Sequence, residues 1–304
     1  MHYAFIGLGE LGAPLAMRLL GAGLSVTVHD RDAARAAPLL AAGAAWADGP
    51  AEAAAAADHA ITVLPSPAAS EAVLDAMLPH LGGKDWIEMS TLSRDVMRAL
   101  AARAGDAGAG VLELPVTGGV HLAASGQLAL LAGGDAETLA RHVRATDAMG
   151  RCLHHMGGVG DAALIKVITN MLAFVHLKAC GEALMLAGRG GLDLGQAWRA
   201  IRDSSGTSFV HETEGALVLN GSCDVGFSID LARKDLGFAL AFGQEFGVPL
   251  ELAEATARTY DAAHAAYGGG AQSPMIVRLL EDALGTPLRA EGFPARLAPG
   301  TVVP

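Results

Sequence analysis

Little in this chain of 304 residues is charged, aromatic or sulfur-bearing, and each shortage excludes something. Charged residues make up 17% and aromatics 5%, against 52% hydrophobic residues. A disordered chain lacks that much apolar material, so a packed protein of small residues, mainly alanine, is expected. Basic residues are few: 21 Lys and Arg against 32 Asp and Glu, a formal net charge of -11, with no basic run. Nucleic-acid binding needs a basic stripe, so no nucleic-acid partner is expected. The three cysteines, Cys152, Cys180 and Cys223, have no metal-ligand spacing. Their odd number suits reduced thiols in a cytosol better than a disulfide framework.

Long uncharged apolar runs are also missing. The mean hydropathy is positive, +0.36, but no run approaches the ~20 residues of a spanning helix. The longest candidate, Val167–Leu177, holds Thr169, Asn170 and His176. The first strand begins almost at Met1, without a basic start or small-residue cleavage site. A cytoplasmic protein with no membrane partner is therefore expected. Eleven histidines raise the question of a metal. His154 and His155 would point to opposite faces of a strand, and no carboxylate or thiol cluster has ligand spacing, so no metal is expected. His176 reads as a packed residue on a long helix.

What is present is a rhythm. Tyr3–Ile6, Val26–His29, Ala60–Leu64, Trp86–Met89 and Val111–Val116 read as buried strands, alternating with helical segments such as Leu11–Leu20 and Ala69–Leu78. Such alternation implies right-handed βαβ units and a parallel sheet. Leu128–Ala132 and Cys152–Met156 are two further strand candidates. From Asp161 to about Gly188 the pattern becomes one helix, apolar around much of its circumference and so buried on several sides. Leu194–Ile201, Ile229–Phe246, Glu251–Ala266 and Pro274–Leu284 then read as helices. The predicted architecture is α/β: a doubly wound sheet domain over 1–160, a long interdomain helix, and an all-helical domain over 161–304. Arg289–Pro304, rich in Pro and Gly, reads as a loose tail.

Gly7-Leu8-Gly9-Glu10-Leu11-Gly12 follows the first strand and opens a helix. In a dinucleotide site Gly7 permits the tight turn, Gly9 lets backbone approach a pyrophosphate, and Gly12 lets helix pack on strand. The helix N-terminus adds free N–H groups and partial positive charge. Asp30 ends the second strand, where a carboxylate accepts hydrogen bonds from a ribose diol and repels a 2′-phosphate. Arg31 beside it pairs with such a phosphate. The residues thus favour NAD over NADP without deciding between them.

Four stretches in this order resemble the β-hydroxyacid dehydrogenases, the 3-hydroxyisobutyrate dehydrogenase-like branch of the 6-phosphogluconate dehydrogenase superfamily. They are the glycine loop with Ala13-Pro14-Leu15-Ala16; Pro115-Val116-Thr117-Gly118-Gly119; Gly158-Val159-Gly160 running to Lys166 and Asn170; and Lys234-Asp235-Leu236. The likeness covers all but the last fifteen or so residues and implies a dinucleotide-binding Rossmann domain over 1–160 joined by a long helix to a helical domain over 161–304 for substrate and dimerisation.

The resemblance implies roles for particular residues. Lys166 aligns with the catalytic lysine, and a partly desolvated lysine suits proton transfer to or from an alcohol oxygen. Asn170, one turn on, shares its helix face; the family usually has a second asparagine where this chain has Thr169. Thr117, Gly118 and Gly119 take the place of Ser-Gly-Gly around the substrate carboxylate, although two glycines alone would also suit a hairpin turn. The family has a small residue where this chain has His121 and a glycine where it has Leu122. His121 either contacts substrate or caps a turn. Asp235 matches an acid facing the active site, Lys234 a lysine covering the cofactor, and Phe227 a pocket aromatic; by itself Lys234-Asp235 is a solvated charge pair. Leu64, Pro65 and Thr91 match positions lining the cofactor, and Ser204–Phe209 is a further candidate for the pocket wall.

The function so implied is hydride transfer between NAD(P) and a small 3-hydroxy acid, or its semialdehyde, with Lys166 as general acid and base and a homodimer or homotetramer as the assembly. An imine reductase would share the architecture but generally lacks the lysine, and the helical domain is short for a decarboxylating 6-phosphogluconate dehydrogenase. A non-catalytic dinucleotide-binding protein would have no use for Lys166 with Asn170.

Overall fold

The computed structural model describes residues 1–298 and divides into two compact units, Met1–Lys166 and the chain from Val167 onward. The first unit is built on nine strands among the described residues: β1 (His2–Ile6), β2 (Ser25–His29), β3 (Ala45–Trp46), β4 (His59–Thr62), β5 (Asp85–Glu88), β6 (Gly110–Glu113), β7 (Val116–Thr117), β8 (Leu128–Gly134) and β9 (Gly150–Gly157). Their order is β3-β2-β1-β4-β5-β6-β8-β7, with β9 also on β8. The first six strands pair in parallel.

The parallel sheet expected from the strand–helix alternation is present in these six strands, and the strands after them add antiparallel pairing. β8 runs antiparallel to both β6 and β7. The connection from β7 to β8, Gly118–Gln127, is shorter than the dozen or more residues that a parallel crossover needs. The single strand expected over 111–116 is two, broken at Leu114-Pro115, because proline brings no N–H to a ladder. β3, only two residues long, left no periodic signal to read.

Alternation along the strands loads both faces of the sheet. In β1, Phe5 joins the core with Leu15, Leu19, Val28 and Ile87, while Ala4 and Ile6 join Ala60, Leu74 and Trp86 on the other side. Helices cover both faces, and local signals start them. Ser66 accepts a hydrogen bond from the Ala69 amide ahead of Pro67, and Ser93 accepts one from Val96 at the head of Arg94–Asp106.

The helix Asp161–Arg189 spans 29 residues. Its Ala163 belongs to the core of the first unit, and its Phe174, Leu177, Cys180 and Leu184 to that of the second. By length and composition alone it could cross a membrane, although Lys166, Lys178 and Glu182 interrupt its apolar run. Helices packed into protein cores have the same composition. His176, expected to be packed, is exposed.

The second unit is helical: Leu194–Arg202, Phe209–Glu212, Glu214–Asn220, Ile229–Phe246, Glu251–Tyr267 and Arg278–Leu284, the last preceded by a 3₁₀ turn at Ser273–Val277. Gly181 lets that turn press on the long helix, since a Cβ there would come within 2.7 Å of Val277. The start of the expected loose tail is fixed: Arg289 donates to Glu281 at 2.6 Å, and Phe293 packs edge-on against Trp198. Residues 299–304 of that tail lie outside the described residues.

Candidate active site

The candidate residues of the first unit gather beyond the carboxyl ends of the strands, where doubly wound sheets bind ligands. Gly7 has φ +100°, and a Cβ on it would run into the Val63 carbonyl oxygen; one on Gly12 would run into the Gly7 carbonyl oxygen. Both glycines are therefore required by the tight strand-to-helix turn. Gly9 has only Arg35 Nη1, 3.6 Å from its Cβ position. Leu8 is buried, Leu11 half-buried and Glu10 exposed. The following helix, Gly12–Gly21, has no side-chain cap and no acidic residue in its first turn. Such an end leaves N–H groups for an anion, so the loop fits a dinucleotide phosphate.

Asp30 is tied to this loop. Its Oδ2 accepts from the Leu8 amide at 2.6 Å and its Oδ1 from the Asp32 amide at 2.9 Å. Arg31 is exposed, and Arg35 pairs with Asp32 at 3.4 Å. Arg35 over Gly9 was missed in the sequence reading; its only signal is a second arginine four residues after Arg31. Leu64, after β4, donates its amide to Ser90 Oγ at 2.7 Å, next to Thr91, while Pro65 is exposed. Behind them Glu88, fully buried, accepts from the Ser90 amide and from Thr62 Oγ1, and burial pushes its carboxyl above the usual range.

Thr117 closes β7 and leads into Gly118 (φ +124°) and Gly119 (φ +86°). A Cβ on Gly118 would meet Leu122 at 3.0 Å, and one on Gly119 would meet the His121 ring at 3.2 Å. The two residues that depart from the family pattern therefore lie against the two glycines. Burial lowers the His121 pKa, which keeps its ring neutral at pH 7. Lys166 is 9% exposed. The helix that carries it starts at the turn Gly157–Gly160, where Glu113 at the end of β6 accepts from the Gly160 amide at 2.7 Å.

In the second unit, Asn170 Nδ2 donates to Asp235 Oδ2 at 2.6 Å, and Lys234 Nζ lies 3.2 Å from Asp235 Oδ1. Asp235 is 1% exposed. Lys234-Asp235 is thus no solvated pair: a helix-to-helix hydrogen bond holds its acid. Phe227 stacks on Phe174, and Gln272 Oε1 accepts from its amide. The stretch Ser204–Ser208 lies at the surface, folded on itself through Ser204 Oγ and the Gly206 amide.

The opposite end of the sheet holds a cluster that sequence spacing could not show. His59, Asp85 and His142 offer ligand atoms all within 4.8 Å of one another. Arg141, however, donates twice to the Asp85 carboxylate, His142 Nε2 lies 3.0 Å from it, and the Asp85 amide donates to His59 Nδ1. These bonds engage the lone pairs that a cation would need, so the cluster reads as a polar network inside the fold.

The NAD binding domain of 6-phosphogluconate dehydrogenase matches residues 2–158, and the NAD-binding domain of NADP-dependent 3-hydroxyisobutyrate dehydrogenase matches residues 160–280. The 3-hydroxyisobutyrate dehydrogenase of Pseudomonas aeruginosa is 33% identical over 86% of this chain and 91% of its own. The chain belongs to the β-hydroxyacid dehydrogenase family. Among its β-hydroxyacid dehydrogenase relatives, the NAD-dependent L-serine dehydrogenase of Pseudomonas aeruginosa is 35% identical over 78% of this chain and 83% of its own. The solved Mycobacterium tuberculosis 3-hydroxyisobutyrate dehydrogenase with L-serine is 30% identical, with a TM-score of 0.81 over 92% of this chain and 98% of its own. Solved imine reductases share the fold at 20–21% identity. As a member of the β-hydroxyacid dehydrogenase family the chain is an NAD(P)-binding oxidoreductase.

Proposed function

We propose that this protein oxidises a small 3-hydroxy acid at its hydroxyl carbon, or reduces the corresponding semialdehyde, with Lys166 as the acid–base group. The observation that carries the reading is Lys166 itself: a lysine only 9% exposed, on an apolar helix turn where burying a charged side chain is costly. Gly7–Gly12 and Asp30 would hold NAD(P), which when bound supplies the hydride acceptor or donor. Lys166 Nζ takes the hydroxyl proton during oxidation and returns it during reduction. Asn170, held by Asp235, orients the substrate oxygen, and Thr117 with the Gly118 and Gly119 amides receives the carboxylate. Leu64, Pro65, Thr91 and Lys234 line the cofactor, and His121 and Phe227 line the substrate pocket.

NAD is the proposed preference, supported by the Asp30 carboxylate at the end of β2. The exposed residues Ile168, Leu172 and Leu186 on one stripe of the long helix support a homodimer or homotetramer. Burial pushes the Cys180 thiol up to about 12 and Cys223 up to about 11, which suits unreactive thiols in a cytoplasmic protein.

The test is a panel of 3-hydroxyisobutyrate, serine, phenylserine, threonate and glycerate against NAD and NADP, with Lys166→Ala alongside. One or more of these acids should be oxidised, and the variant should lose at least ~100-fold in kcat while still quenching on dinucleotide binding. Turnover retained in the variant would overturn the role of Lys166, and no dinucleotide binding by the wild type would overturn the whole reading.

A further inference from the structure

We infer that Glu113 is a positioning residue for Lys166, clamping the start of the long helix onto the strand that runs into the Thr117–Gly119 turn. The inference rests on the proton-transfer reading of Lys166. Glu113 ends β6, four residues before Thr117, and is 2% exposed. Its Oε2 accepts from the Gly160 amide at 2.7 Å, and the amides of Ala162 and Ala163 in the first helical turn also hydrogen-bond to it. A single carboxylate from another strand thus serves the amide donors that a helix start leaves unsatisfied.

The surroundings are shaped for this contact. Gly133 on β8 lies against the carboxylate: a Cβ there would come within 2.6 Å of Glu113 Oε2 and 2.9 Å of the Gly158 carbonyl oxygen. Gly160 has φ +97°, and its open side is filled by Arg94 and Arg98. Arg98 donates to the Val159 carbonyl oxygen, and Arg94 pairs with Asp161 at 3.0 Å. The turn is therefore held from the strand side by Glu113 and from the helix side by two arginines. Lys166 follows Gly160 by six residues, roughly 9 Å along the helix axis. A small error in how the helix leaves the turn displaces the amine from a substrate held at Thr117–Gly119, and misplacement of about 1 Å is enough to cost a large factor in rate.

The clamp also responds to pH. Burial raises the Glu113 pKa, the backbone amides oppose this, and the charge of Asp161 adds to the rise, leaving it at about 7. The charged groups around it are Asp161 from the long helix and, paired with that acid, Arg94 and Arg98 from the neighbouring helix; Gly133 faces it from β8. A carboxyl whose pKa is raised by being clamped is released more easily once ionised, so the clamp loosens as pH rises from about 4.5 towards about 7.

The test compares wild type, Glu113→Gln and Lys166→Ala on the acids of the panel above, with NADH binding followed by fluorescence. E113Q should lose at least tenfold in kcat, keep KM within about threefold and keep NADH affinity. The inflection of kcat near pH 7 should vanish from its profile. Amide exchange at Gly160–Ala163 should quicken at least tenfold in E113Q and lose its pH inflection, without faster exchange in β1 or β4. Wild-type kcat and pH profile in E113Q, with K166A inactive, would overturn the inference alone. Unchanged exchange at Gly160–Ala163 would overturn the clamp, and retained turnover in K166A would overturn the reading beneath it. Loss of NADH binding in step with kcat would mark Glu113 as merely structural.

Discussion

Asn170 on the long helix and Asp235 on the Ile229–Phe246 helix share a hydrogen bond of 2.6 Å that joins two helices of the second unit. The acceptor is buried and charged, and it also faces Lys234. Truncating Asn170 to Ala strands part of that acceptor and costs about 1–3 kcal/mol of stability. It should also lower kcat by at least tenfold, because the proposed orienting amide is lost. Asp235→Asn keeps the shape and should cost less stability. Denaturant titration with kinetics on both variants checks this, and equal turnover in N170A and wild type would rule out an orienting role.

Asp30 binds the glycine loop through the Leu8 amide and is the residue proposed to meet the cofactor ribose. Two effects should follow in Asp30→Ala. NAD affinity should drop, since the Leu8 amide loses its acceptor and the ribose its carboxylate. The ratio of kcat/KM for NADP over NAD should rise at least tenfold, because Arg31 and Arg35 then meet a 2′-phosphate without the Asp30 charge opposing it. Kinetics with both nucleotides decide it; an unchanged ratio would remove Asp30 from cofactor choice.

His142 is fully buried, and desolvation first, then neighbouring His59, lower its pKa from 6.5 to about 4. A depressed histidine pKa means that the unfolded chain binds the proton more readily. Its contribution to stability is therefore present above pH 6.5 and lost as pH falls towards about 4. Between pH 6.5 and 5 this amounts to roughly 2 kcal/mol. Glu113, with a raised pKa, runs the other way between about 4.5 and 7. The quantity to measure is accordingly the stability difference between wild type and His142→Gln across that range. It should shrink by roughly 2 kcal/mol as pH falls from 6.5 to 5.

The long helix leaves Ile168, Leu172 and Leu186 exposed along one stripe. If this stripe joins copies of the chain, Leu172→Glu with Leu186→Glu should halve the mass seen by light scattering. Circular dichroism should not change, because both positions face solvent in one chain. An unchanged mass would place any assembly on another surface.

Local features of this protein were legible in its sequence, and long-range ones were not. Gly7, Gly9 and Gly12 announce a strand–turn–helix because each spacing answers a steric need. The helix from Asp161 shows in its own periodicity. By contrast, the antiparallel placement of β8 depends on how Gly118–Gln127 turns back, and alternation looks the same in either direction. Glu113 and Gly160 are 47 residues apart and Arg35 and Gly9 are 26 apart, and nothing in the pattern says that they meet. His59, Asp85 and His142 had no ligand spacing because they meet only when the helix junction at His142 packs against the starts of β4 and β5. Lys234-Asp235, read by itself, looked solvated, since burial is a property of the packed helices.

Gly133 can be read once more in the light of its neighbour. A side chain there would collide with the Glu113 carboxylate and with the Gly158 carbonyl oxygen, so positions 113 and 133 do not vary independently. Shortening residue 113 relieves only the first of the two collisions; the second belongs to the backbone of the turn. Diversification of this strand pair is thus constrained from both ends: substitution at 133 demands a rebuilt turn, and substitution at 113 opens a space that no single change at 133 can fill.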